Sequence, residues 1–116
     1  MGARGCPFFM KKCQPHILAQ GLYFNITNCA RCKRISLCYK NLMISYSHQE
    51  FSHFVKNFVR IDFDRHAFFF PDESTRIIIK SPHQDIQINL DFQEFNELKD
   101  ALQESILLFS AYQLIG

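Results

Sequence analysis

Two short ligand pairs constrain this chain more than anything else in it: Cys13 with His16, then Cys29 with Cys32, with twelve residues between the pairs. A two-residue spacer lets one tight turn aim both of its side chains at a single point. Three thiolates and one imidazole make the tetrahedral donor set that structural zinc prefers. Gly21 stands near the middle of the intervening segment, so a hairpin turning there brings the two pairs together. Four protein ligands close the coordination shell, leaving no position for the water that catalytic zinc needs. The spacing therefore predicts Zn2+ in a structural role, held by Cys13, His16, Cys29 and Cys32. The imidazole favours zinc over an iron–sulfur cluster. Cys29-Ala30-Arg31-Cys32 also lacks the βαβ context of a thioredoxin-like redox pair.

A chain of 116 residues, 47% hydrophobic and 21% charged, buries a core without help from a metal. Zinc would then fix one corner rather than the whole fold. The core is rich in Phe, with thirteen Phe and no Trp. No apolar run approaches the roughly 18 residues of a membrane span. Met1–Pro7 lacks the apolar centre of a secretory signal, and Cys6 stands where a myristoylation motif wants Ser or Thr. Five Cys without an export signal suit a reducing, cytoplasmic setting, where metal binding outweighs disulfides. Met10-Lys11-Lys12 reads as an alternative start, which makes residues 1–9 a disordered extension ahead of one domain over residues 10–116.

Hydrophobic periodicity gives the elements. Leu22–Thr27 alternates as a strand, and so do Ile35, Leu37 and Tyr39, followed after Lys40-Asn41 by Leu42, Ile44 and Tyr46. Ser47 with Glu50 is a capping box, and Tyr46 with Phe51 a hydrophobic staple. Phe51, Phe54, Val55, Phe58 and Val59 then form one helical stripe. The second half follows the same order: strands at 67–70, 76–80 and 86–90, a turn at Pro71–Ser74, and a cap at Asp91 with Glu94. Its helical stripe is Phe95, Leu98, Leu102, Ile106 and Phe109. Gln49-Glu50-Phe51 and Gln93-Glu94-Phe95 lie 44 residues apart. The expected fold is α+β: a mainly antiparallel sheet from two β-β-β-α units (about 22–60 and 66–113), with two helices on one face. A zinc-ribbon-like hairpin stands at its N-terminal side.

These residues together resemble a domain-of-unknown-function family of small bacterial proteins with a zinc-ribbon-like N-terminus. The resemblance rests on Cys13-x-x-His16, Asn28-Cys29-x-x-Cys32, the strand pair that follows and the two capped helices, from about Met10 to the end. It implies a fold and a metal site, and it brings no activity with it.

Other chemistry is sparse. His48, Glu50 and His53 lack metalloprotease spacing, because i and i+5 stand roughly 140° apart on a helix. Both His are expected at the surface, and His66 and His83 in solvated loops. Cys38 belongs beside Ser36 on the outer sheet face. There is no glycine-rich phosphate loop and no local signature of a nucleophile, so an enzyme is not expected, nor a small-molecule substrate. Charge is divided: residues 1–60 carry nine Lys/Arg and one acid, residues 61–116 four Lys/Arg and ten acids. The two halves attract each other, or a second copy, or the basic half meets nucleic acid. Arg31, Lys33, Arg34 and Lys40 crowd the metal turn and the next strand, where they can contact phosphates while Tyr23 or Tyr39 stacks a base. The competing role is protein binding or homodimer assembly. Phe68-Phe69-Phe70 should place one face in the core and leave the other to be covered by another element or another subunit. The late helix, through Leu107, Leu108 and Tyr112, either supplies that cover or extends the exposed patch.

Overall fold

The computed structural model describes residues 15–82 and 85–115, with side chains as far as Ala111. Cys13, the extension expected over residues 1–9, the Lys11-Lys12 pair, His83 and the Tyr112 side chain lie outside the described residues. The chain runs β1 (Pro15–Gln20), β2 (Phe24–Cys29), β3 (Arg34–Tyr39), β4 (Leu42–Ser47), α1 (His48–Val59) and α2 (Phe63–His66). It continues through β5 (Phe68–Phe69), β6 (Thr75–Lys80), β7 (Gln87–Leu90) and α3 (Phe92–Ile115).

The fold is α+β, but its strands form two antiparallel sheets, β1-β2-β3-β4 and β5-β6-β7, rather than the single sheet expected. The physical reason lies between β4 and β5. Asp62 caps a helical turn by accepting the Asp64 N–H, 3.2 Å, which takes up residues that would otherwise extend β5. Pro71 then opens a turn in which Glu73 adopts a left-handed φ of 68°. Two residues are left for β5, too few to join the sheets. The expected arm before Gly21 is a full strand, β1, so the first sheet has four strands.

One face of that sheet carries the core. Ile26, Ile35, Leu37, Ile44 and Tyr46 are buried there, in the alternation expected from the sequence. Helix α1 lies over β3 and β4, α3 crosses β1 and β2, and the two helices touch each other. Phe58 of α1 stacks on Phe95 of α3 with ring centroids 4.9 Å apart. Burying an aromatic side chain of this kind stabilises by about 1.5–3 kcal/mol. Ile77, Ile79, Ile88 and Leu90 of the second sheet complete the same core.

Both helices start where the caps place them. Glu50 N–H donates to Ser47 Oγ, 3.1 Å, while Ser47 N–H donates to Glu50 Oε1, 2.8 Å. Asp91 and Glu94 repeat the exchange at 2.8 and 2.9 Å. Tyr46 meets Phe51 edge-on at 6.0 Å, as a staple should. The 44-residue offset lays β4 on β7 and α1 on the start of α3, whereas β6 begins three residues early for it.

Candidate functional site

The hairpin β1–β2 turns at Gly21, whose N–H donates to Phe24 O, 2.8 Å. The Phe24 ring lies so close to Gly21 that a β-carbon there would collide with it. This turn sets the register Pro15↔Cys29 and His16↔Asn28. A bulge between Ile17 and Ala19 lets Leu18 and Ala19 both enter the core.

Beyond β2 the chain makes the turn Ala30–Lys33. Lys33 N–H donates to Cys29 O, 2.8 Å, and Lys33 takes a left-handed φ of 56°. Cys29 and Cys32 are both buried and form a small cluster of their own, separate from the main core. The Cys-x-x-Cys pair thus lies on one closed turn, with both residues buried. His16 sits on the neighbouring strand, and its residue is exposed. The ladder puts it opposite Asn28, one position from the Pro15↔Cys29 pair. Among the described residues, no group of three or more potential metal ligands gathers; the fourth expected ligand, Cys13, lies outside them.

His48 was expected at the surface, and the structure corrects this. Its Nε2 hydrogen-bonds Oδ1 of buried Asn28, 3.2 Å, and its ring packs edge-on against Phe109, centroids 4.5 Å apart. Burial, followed by the nearby charges of Lys33 and Arg34, lowers its pKa from the ordinary 6.5. The reason is positional: His48 follows Ser47 directly, and Ser47 pairs with Arg34, itself the partner of Cys29. The helix therefore starts at the same end of the sheet as the thiols. His53 is exposed as expected, and His66 ends the short α2, with Nδ1 3.0 Å from Asp62 O. Cys38 lies on the outer face with its sulfur 3.8 Å from Ser36 Oγ.

The basic residues that crowd together in sequence separate in space. Arg31 and Lys33 stand exposed on the Ala30–Lys33 turn. Arg34 folds across the outer face, donating from Nε to Ser45 Oγ, 3.0 Å, and from a terminal nitrogen to Ser45 O, 3.2 Å. Lys40 is at the far end of β3, about 20 Å from Lys33 at the usual strand rise. There its Nζ lies 3.3 Å from Glu94 Oε2 and beneath the rings of Tyr23 and Tyr39, at 5.7 and 5.4 Å. Tyr39 fills the core and carries a pKa well above its ordinary 10.0, raised first by burial and then by Glu94.

The Phe68-Phe69-Phe70 run also departs from expectation. Phe68 is 58% exposed and Phe69 74%, so neither side chain enters the core, because β5 is too short to hold a face against it. Leu107 is exposed as well, at 72%. No helix among the described residues is long and apolar enough to cross a membrane.

No curated protein and no solved structure matches the chain. A family model covers residues 10–108, from just before Cys13 to the last turns of α3, and with that match the chain belongs to the family of unknown function DUF6686.

Proposed function

We propose that this chain is a non-enzymatic binding module whose N-terminal hairpin is fastened, as in a zinc ribbon, by structural Zn2+ on Cys13, His16, Cys29 and Cys32. The observation that carries this reading is the Cys29–Lys33 turn. A left-handed Lys33 and its N–H bond to Cys29 O hold two buried thiols side by side, outside the hydrophobic core. Thiolates in such a turn are ready-made soft donors, and the hairpin carries His16 to the strand position next to the Pro15–Cys29 pair. Bound zinc supplies charge neutralisation for the thiolates and a cross-link between β1 and the turn. In this reading His16 and Cys13 would supply the remaining two ligands.

The module works by contact with a protein partner or a second copy of itself. Exposed Phe68, Phe69 and Leu107 support this reading. The nucleic-acid reading retains Arg31 and Lys33 alone of its four residues, since Arg34 and Lys40 have partners within the chain. Metal analysis, combined with size-exclusion light scattering over a range of protein concentrations, tests both parts. Zinc in the purified protein and a salt-resistant partner or dimer are expected. A metal-free protein that co-purifies with nucleic acid would overturn the reading.

A further inference from the structure

β6 is six residues long, but its ladder with β5 consists of Phe68↔Arg76 and Phe69↔Thr75 alone. From Ile77 to Lys80 it pairs only with β7. Along an antiparallel strand, alternate residues turn both main-chain groups to the same side. Half of this stretch therefore presents N–H and C=O to a side where no strand among the described residues lies. β5 cannot extend to cover it, because Ala67 already closes α2 with its N–H on Phe63 O, 2.9 Å.

A cavity of about 580 Å³ runs along this edge, between Ile78, Ile79 and Lys80 of β6 and Phe54, Asn57 and Phe58 of α1. Consecutive strand residues point to opposite faces, so a cavity lined by three in a row follows the strand's edge and not one face. Tyr46 also lines it. Its side chain is 1% exposed, yet its hydroxyl has no hydrogen-bond partner among the described residues. A buried hydroxyl is costly unless something accepts or donates to it. The walls differ in charge, with Glu50 on the helix side and Lys80 on the strand side.

We propose that this groove binds an extended peptide, which adds to the β6 edge at Ile77–Lys80 as a further antiparallel strand. Every second side chain of the peptide enters the cavity, where an apolar residue lies against Phe54 and Phe58 and a polar group meets the Tyr46 hydroxyl. An acidic peptide residue sits beside Lys80 and a basic one beside Glu50. The unpaired main-chain edge selects a peptide, because only a repeating backbone matches its donors and acceptors. This gives the partner of the binding module a chemistry and rests on that reading, but it is independent of the metal.

The test begins with selection of a random-sequence peptide library on the full chain. The enriched peptide is then titrated by fluorescence anisotropy. Tyr46→Phe should weaken it about three- to tenfold, the worth of one hydrogen bond. N-methylation of alternate peptide amides should weaken it at least as much in one register and little in the other. Deuterium exchange should slow within Ile77–Lys80 on binding. Tyr46→Phe keeps the ring stacked on Phe54 and removes no hydrogen bond seen within the chain, so its Tm should not fall. Failure to enrich any peptide overturns the proposal, as does binding indifferent to Tyr46→Phe or to N-methylation. Metal content is measured on the same protein. A zinc-loaded chain without peptide binding rejects the groove alone, and a metal-free chain that binds peptide rejects the metal alone.

Discussion

Lys40 Nζ lies 3.3 Å from Glu94 Oε2, so the basic first half of the chain meets its acidic second half within one molecule. Lys40 is half exposed, and an exposed ion pair contributes about 0–1 kcal/mol. Glu94 does more, because it also accepts the Asp91 N–H at the start of α3. Glu94→Ala should therefore cost about 1–2 kcal/mol in urea denaturation, clearly more than Lys40→Ala.

The same site gives a pH dependence. Burial alone would raise the Glu94 pKa, but the Asp91 N–H, Tyr39 and Lys40 outweigh it and hold the carboxyl below its ordinary 4.5. The stabilisation from a carboxyl held low is complete above 4.5 and is lost as pH falls through the lowered value. Stability should decline below pH 4.5, and Glu94→Gln should flatten that part of the profile. An unchanged slope in the variant would remove Glu94 from the account.

Phe58 joins the two helices through its stack on Phe95 and is 1% exposed. Phe58→Ala should cost about 3–5 kcal/mol, read from the shift of the urea midpoint. Phe69→Ala, at an exposed position, should change stability by less than about 0.5 kcal/mol.

Arg31→Glu with Lys33→Glu reverses the two exposed charges on the Ala30–Lys33 turn. Binding of a protein partner should survive the change, with stability altered by no more than about 0.5 kcal/mol. Electrophoretic mobility shift with mixed DNA and RNA, at low and high salt, is the check. A salt-sensitive shift abolished by the double variant would restore the nucleic-acid reading.

What the sequence disclosed and what it hid differ by the range of the interaction. Ser47 with Glu50 and Asp91 with Glu94 are signals three residues long, and both caps form as read. The stripe Phe51, Val55, Phe58 and the set Ile35, Leu37, Tyr39 depend on local period, and they enter the core. The number of sheets depended on whether β5 could reach β4, which no local period encodes. The partners of Arg34, Lys40 and His48 stand 11, 54 and 20 residues away. Proximity in sequence therefore overstated the basic patch and missed the half-buried imidazole. Tyr46 read correctly as an inward residue, but the groove beside it arises from β5 stopping short.

Ligand substitutions should loosen one end of the molecule. Cys32→Ser should speed amide exchange in β1 and the Ala30–Lys33 turn, while the central turns of α3, packed through Leu98 and Leu102, stay protected.

Metal content tests the central claim most directly. Protein purified without added zinc should contain about one zinc ion per chain by elemental analysis, and its Tm should fall when a strong chelator removes the metal. Protein that carries no metal, and melts identically with and without chelator, would contradict it.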